Sequence, residues 1–155
     1  MRLYHATTAD RVRSIALHGL LTRDALARRL GADKVRYPGH TKRGVVYGTA
    51  TYRDARDCWG HLDGDPVILC FEAPVLRRDR NFLDEPWLTD VWNGSYTKTT
   101  WGRNHRAARF EIAGSVPADR LRVHCETNRG GHAACVSLDE WLDRLDLASG
   151  RRRVA

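Results

Sequence analysis

The run Pro66-Val-Ile-Leu-Cys-Phe71 is the strongest constraint on how this chain can fold. Its residues after the proline are all apolar and mostly β-branched or aromatic, with no polar alternation, so it predicts a strand buried on both faces. Other segments supply shorter partners. Ala108-Arg-Phe-Glu-Ile112 alternates, with Phe110 and Ile112 on one face and Arg109 and Glu111 on the other. Gly44-Val-Val-Tyr47 predicts a short buried strand and Leu121-Arg-Val-His-Cys125 a further one. Arg2-Leu3-Tyr4-His5 is a short apolar strand that ends in a polar histidine.

Helical spacing accounts for much of the rest. Val12, Ile15, Ala16 and Leu20 recur on one helix face directly after the first strand. Thr7-x-x-Asp10 predicts a capping box, and Gly19 a left-handed residue that ends the helix. Thr22 to Leu30 reads as a second helix capped by Thr22. Tyr52 to Gly60 reads as a third, with Ala55, Cys58 and Trp59 inward. Ser137-Leu-Asp-Glu140 is another capping box, opening a helix that buries Leu138, Trp141, Leu142 and Leu145. Gly31 to Arg43, centred on Pro38-Gly39, predicts a long loop of the kind that forms lids or binding segments. Residues 77–106, with Trp87, Trp92, Tyr96 and Trp101, predict loops and short pieces. The expected architecture is a short-stranded α+β fold, one domain over residues 1–148 with a basic tail over 149–155.

The formal charge is +7, and arginine makes up 23 of the 26 basic residues. The planar arginine fork suits phosphate and guanine, so this excess is compatible with a nucleic acid or a nucleotide as partner. No apolar run approaches the roughly 20 residues that cross a bilayer, and no signal-peptide pattern opens the chain. The expectation is a cytoplasmic protein with no membrane partner. Cys58, Cys70, Cys125 and Cys135 form no Cys-x-x-Cys pair and read as reduced thiols. Cys58-Trp-Gly-His61 and His132-Ala-Ala-Cys135 have zinc-compatible spacing, but Cys58 and Cys135 have apolar or small neighbours suited to a core, so no metal is expected.

Three distant segments share one form: a strand ending in His5, a strand ending in Tyr47 before a helix, and a late strand carrying Glu111. Together they resemble the ADP-ribosyltransferase fold in its histidine-tyrosine-glutamate branch, which includes the poly(ADP-ribose) polymerases. Tyr4-His5-Ala6-Thr7, Ile15 and His18-Gly19-Leu20-Leu21-Thr22-Arg23 are similar to the opening of the DarT-type DNA ADP-ribosyltransferase toxins. Gly44-Val-Val-Tyr47-Gly-Thr with Ala55 resembles the second motif, and Ala107-Ala-Arg-Phe-Glu111 through Val116-Pro117 to Leu121 resembles the third.

The resemblance implies an α+β fold of split mixed or antiparallel sheets, NAD+ as co-substrate, and cleavage of its nicotinamide-ribose bond through a transition state like an oxocarbenium ion. It implies catalytic roles for Glu111, His5 and Tyr47. Glu111 would hold the ribose 2′-hydroxyl and stabilise the cation, His5 would bond the adenosine ribose, and Tyr47 would stack on nicotinamide. Backbone at Ala6, together with Thr7, Thr8, Tyr52 and Arg23, would complete the NAD+ site. A register on Val46, with Tyr52 supplying the ring, is the alternative for the second motif. Relatives often have glycine where this chain has Ala6. Arg109 stands where arginine-modifying relatives carry glutamate and asparagine- or guanosine-modifying relatives carry glutamine. That disfavours a protein-arginine acceptor. The DarT-like opening, the arginine excess and the aromatics of residues 87–101 favour nucleic acid as the macromolecular acceptor, in the setting of a toxin with an antitoxin partner. A protein acceptor and RNA 2′-phosphotransfer are the variants on the same fold, and a non-catalytic basic nucleic-acid-binding domain is the contrasting class.

Overall fold

In a computed structural model of the chain, the described residues are 1–34, 43–57, 64–79, 109–125 and 134–150. The strands are β1 (Arg2–Thr8), β2 (Val45–Thr49), β3 (Pro66–Glu72), β4 (Arg77–Asp79), β5 (Arg109–Ala113), β6 (Arg122–Cys125) and β7 (Ala134–Ser137). The helices are α1 (Ala9–His18), α2 (Arg23–Leu30), α3 (Tyr52–Asp57) and α4 (Leu138–Ala148). All seven strands form one sheet in the order β4-β5-β2-β1-β3-β6-β7. Every strand pair in it is antiparallel. This is an α+β fold.

The apolar run behaves as its composition requires. Val67 to Phe71 are all buried, and β3 pairs with β1 along its whole length, from Arg2 opposite Glu72 to Thr8 opposite Pro66. One face of the sheet carries the core. Leu3, Leu69, Phe71, Val123, Val136, Val46, Phe110 and Ile112 pack there against Val12 and Ile15 of α1 and Leu138 and Leu142 of α4. Burying a side chain such as Leu3 or Leu69 contributes about 1.5–3 kcal/mol.

The helix boundaries expose two local misreadings. The residue that caps α1 is Thr8, and its side chain makes no capping bond. Thr7 and Thr8 are still strand residues, paired with Val67 and Pro66, so the ladder fixes where their side chains point. Gly19 does end the helix, but at φ 77° and ψ −179° rather than in the left-handed helical region. The chain leaves extended because Leu20 exchanges two backbone bonds with Val116, at 2.8 and 2.9 Å. Leu20 is therefore buried by this bridge and not by a continuing helix.

Two caps form as read. Thr22 accepts from the Ala25 N–H, and Ser137 accepts from the Glu140 N–H. In α4, Leu138 and Leu142 are buried, whereas Trp141 and Leu145 are half-buried. Asp146 is buried on the same helix and is ion-paired with Arg13, which ties α4 to α1. Strand β7 was not anticipated. It contains Cys135 and adds an edge to β6. Ala55 of α3 is fully buried, as expected. Cys58, Trp59, most of the Gly31–Arg43 loop, Trp87, Trp92, Tyr96, Trp101 and the 151–155 part of the tail lie outside the described residues. No helix among the described residues is long and apolar enough to cross a membrane.

Candidate functional site

The sheet has a seam. On one side of β1 the ladder to β3 is complete, but on the other side β1 meets β2 through the single pair Tyr4–Thr49. Beyond that pair, Ala6 to Thr8 no longer ladder with Val45 to Tyr47. His5 closes the gap: its Nδ1 donates to the Tyr47 carbonyl oxygen at 2.8 Å. A carbonyl only accepts, so the proton sits on Nδ1, and in the neutral ring Nε2 is the acceptor.

Tyr47 and Glu111 face each other. They are register partners across β2 and β5, and directly opposed residues of an antiparallel pair project to the same face. That face is the one away from Val46, Phe110 and Ile112 of the core. Glu111 is only 3% exposed, which places a carboxylate in the interior. Its backbone is held from the far side, where Leu76 N–H donates to the Glu111 carbonyl at 2.8 Å and Arg77 of β4 is its register partner.

His5, Tyr47 and Glu111 thus come from positions far apart in sequence onto three consecutive strands, β1, β2 and β5. The approach of His5 differs from that of the other two. Alternation along β1 sets it with Leu3 and Thr7, on the side opposite Tyr47 and Glu111. Its ring then turns into the seam, where Nδ1 meets the Tyr47 main chain.

The expected cofactor residues divide into two groups. Ala6 is half-buried, and Thr7 and Thr8 are buried along the diverging end of the seam. Thr8 Oγ1 is fully buried without a hydrogen-bond partner among the described residues. A buried hydroxyl in that state costs about 1–3 kcal/mol until something bonds it. Arg23 opens α2, beside the start of β2. Asp24 ties this helix in place by accepting from the Gly44 N–H at 2.9 Å, and Thr22 N–H donates to Ser115 Oγ at 3.1 Å. The Thr22 hydroxyl, then the Gly44 N–H and Arg28, hold the Asp24 carboxyl well below the usual carboxylate range. Tyr52 belongs to another cluster. Its ring lies 4.4 Å from that of His124, with Tyr4 edge-on to the same imidazole at 5.5 Å and the Arg56 guanidinium 5.8 Å from the Tyr52 centroid. By register Tyr4 shares the face of Tyr47, because its partner Thr49 lies two residues from Tyr47 on β2.

No family model matches the chain, and no curated protein matches it. Among solved structures, EcPltA is similar over 86% of this chain and 81% of its own, at 9% identity and a TM-score of 0.43. A likeness of that size carries no argument about function.

Sequence reasoning missed Tyr4 and His124 as neighbours of Tyr52. The available signal was the alternation in Arg122-Val-His124, which puts the histidine on the face opposite Val123. It also missed that Cys70 and Cys135 meet on this side of the sheet, at an Sγ–Sγ distance of 2.9 Å. Among the described residues no group of His, Cys, Asp and Glu is arranged to hold a metal. Cys58, His61 and His132 of the zinc-spaced pairs lie outside them.

Proposed function

We propose that the chain is an NAD+-dependent ADP-ribosyltransferase that moves ADP-ribose to a macromolecular acceptor, with nucleic acid as the acceptor class. One observation carries the reading. Tyr47 and Glu111 oppose each other in register, and His5 is bonded to the same tyrosine's carbonyl. A carboxylate beside an aromatic ring suits cleavage of a glycosidic bond to a cationic leaving group. The negative charge stabilises the oxocarbenium-like transition state, and the ring gives the flat nicotinamide a stacking surface.

In this reading further residues are assigned to NAD+, with His5 reaching it only through the seam, since its strand position lies on the side opposite Tyr47 and Glu111. The His5 ring, anchored through Nδ1 on the Tyr47 carbonyl, would bond a ribose hydroxyl. Thr8 Oγ1 is a buried hydroxyl to which a ligand group at the seam would give a partner. Arg23 stands at the edge of α2 as a cation for the diphosphate. The arginine-rich surface, at a formal charge of +7, favours a polyanionic acceptor. An antitoxin would act by covering such a site. Incubation with labelled NAD+ and separate pools of single-stranded DNA, RNA and protein tests the reading. Label in DNA or RNA is the expected result, and label in none of the pools overturns it.

The burial of Glu111 favours a second reading, a basic nucleic-acid-binding domain in which this carboxylate is structural. Calorimetric titration with NAD+ separates the two. Heat of binding at millimolar nucleotide supports the transferase, and its absence supports the binding domain.

A further inference from the structure

We propose that a cleft at the β1–β3–β6 end of the sheet binds the backbone phosphate of a single-stranded nucleic acid and so holds the acceptor strand of the transfer reaction. Its role rests on the transferase reading, and its ligand rests on the cleft alone. The cleft has a volume of about 380 Å³ and is lined by Arg2, Arg120 and Arg122 together with Glu72, Asp119 and Cys70. The arginines arrive from separate places. Arg2 lies on β1, Arg122 on β6, and Arg120 ends the single turn Ala118–Arg120 that precedes β6. Register sets two of them on the face of Tyr47 and Glu111. Arg2 is two residues from Tyr4 on β1, and Arg122 is the partner of Cys70, itself the partner of Tyr4.

Burial, then the Cys135 thiol, pushes the Cys70 thiol up to about 12, and the Arg2 and Arg122 guanidiniums oppose that rise. Both cations therefore act on one sulfur. All three arginines are exposed, and among the described residues none of them is ion-paired. Arg122 is braced by donating to the Asp119 and Leu121 carbonyls, each at 3.2 Å, but it uses only Nη1 for both. Its other N–H groups are left for the planar, two-point contact that suits phosphate. Three guanidiniums against two carboxylates leave the cleft positive. Tyr4 follows Arg2 and His124 follows Arg122 by two residues, toward the level of Tyr47, and the Tyr52 ring rests on His124. Half-buried rings beside cations are what an unpaired strand needs, bases on the rings and phosphates on the arginines. Ordinary strand spacings put Arg2 and Arg122 about 15–20 Å from Glu111, a gap a few nucleotides long.

The test reads binding without NAD+, by fluorescence anisotropy of short single-stranded DNA and RNA oligonucleotides over a series of salt concentrations. Arg2→Gln and Arg120→Gln, both changes at exposed side chains, should each weaken binding. Each should also flatten the slope of log affinity against log salt by about 0.7, the value of one single-strand phosphate contact. Arg122→Gln should do the same, and the other two variants carry the result if loss of its carbonyl bonds disturbs the turn. Arg11→Gln removes the same charge from α1, on the other face of the sheet, and should leave the slope unchanged. Binding of either polymer with these slopes supports the proposal, and the tighter one is the acceptor class. Equal losses from Arg11→Gln and the cleft variants would mean diffuse surface charge and would overturn it. So would unchanged slopes in Arg2→Gln and Arg120→Gln. An oligonucleotide held by the cleft but never labelled from NAD+ would instead overturn the transferase reading, with the phosphate site still standing.

Discussion

His5 Nδ1 donates to the Tyr47 carbonyl oxygen at 2.8 Å where the β1–β2 ladder has already ended at Tyr4–Thr49. A side chain has taken the place of a backbone donor. The two halves of the sheet can part toward Thr8 and Val45 without leaving that carbonyl unbonded, which keeps a seam open inside a folded sheet.

Replacing His5 with phenylalanine keeps a ring but removes the donor. Stability should fall by about 0.5–1.5 kcal/mol, the net value of one neutral hydrogen bond. Urea unfolding measures this. Under the proposed function NAD+ affinity should fall as well, by roughly tenfold for one lost bond. Unchanged stability would mean the bond contributes nothing to the seam.

For Glu111→Gln the expected signature is a collapse of turnover with little change in nucleotide affinity. The substitution keeps the shape and removes the negative charge where positive charge develops, an effect of about 10²–10³ in rate. Single-turnover transfer and NAD+ titration are measured side by side. Full activity would make the buried carboxylate structural.

Gly19→Ala should be severe. At φ 77° and ψ −179° the residue occupies a region essentially confined to glycine, and a Cβ there would run into the Val116 carbonyl oxygen. Strain and overlap together should cost about 2–6 kcal/mol. The shift in denaturation midpoint reads this directly.

Asp24 makes stability depend on acid in one direction. Its carboxyl is held below the ordinary value of about 3.9 by the Thr22 hydroxyl and the Gly44 N–H. A group depressed in the folded state contributes fully above its unfolded value, and the contribution is lost as pH falls below that value toward the folded one. Urea midpoints should therefore fall from about pH 4 downward in the native chain, and Asp24→Asn should flatten that part of the profile.

Much of the fold was legible locally. The apolar run of β3, the alternation of β5 and the caps at Thr22 and Ser137 each depend on neighbouring residues, and each formed. Glu111 was also read as a strand residue facing away from Phe110 and Ile112, which it is. Its burial was not legible, because it depends on β5 being flanked on both sides, by β2 at Tyr47 and by β4 at Arg77. The Thr7 capping box failed for a related reason. Pairing with Val67 and Pro66 held both threonines as strand, and no pattern within seven residues records that β3 will lie alongside.

The sequence by itself determined β1, β2, β3, β5 and β6, the four helices and the apolar face of β5, but not β4 or β7, because period and capping are carried by residues a few positions apart. Tertiary structure alone decided that β2 separates β1 from β5, that the β1–β2 ladder stops after one pair, and that His5 bridges to a main-chain oxygen. It also decided that Arg13 meets Asp146, that Tyr52 rests on His124, and that Cys70 and Cys135 meet across β6. These pairings join residues up to 133 positions apart. They follow from strand order, register and packing on both faces of the sheet, which are properties of the whole chain that no local pattern contains.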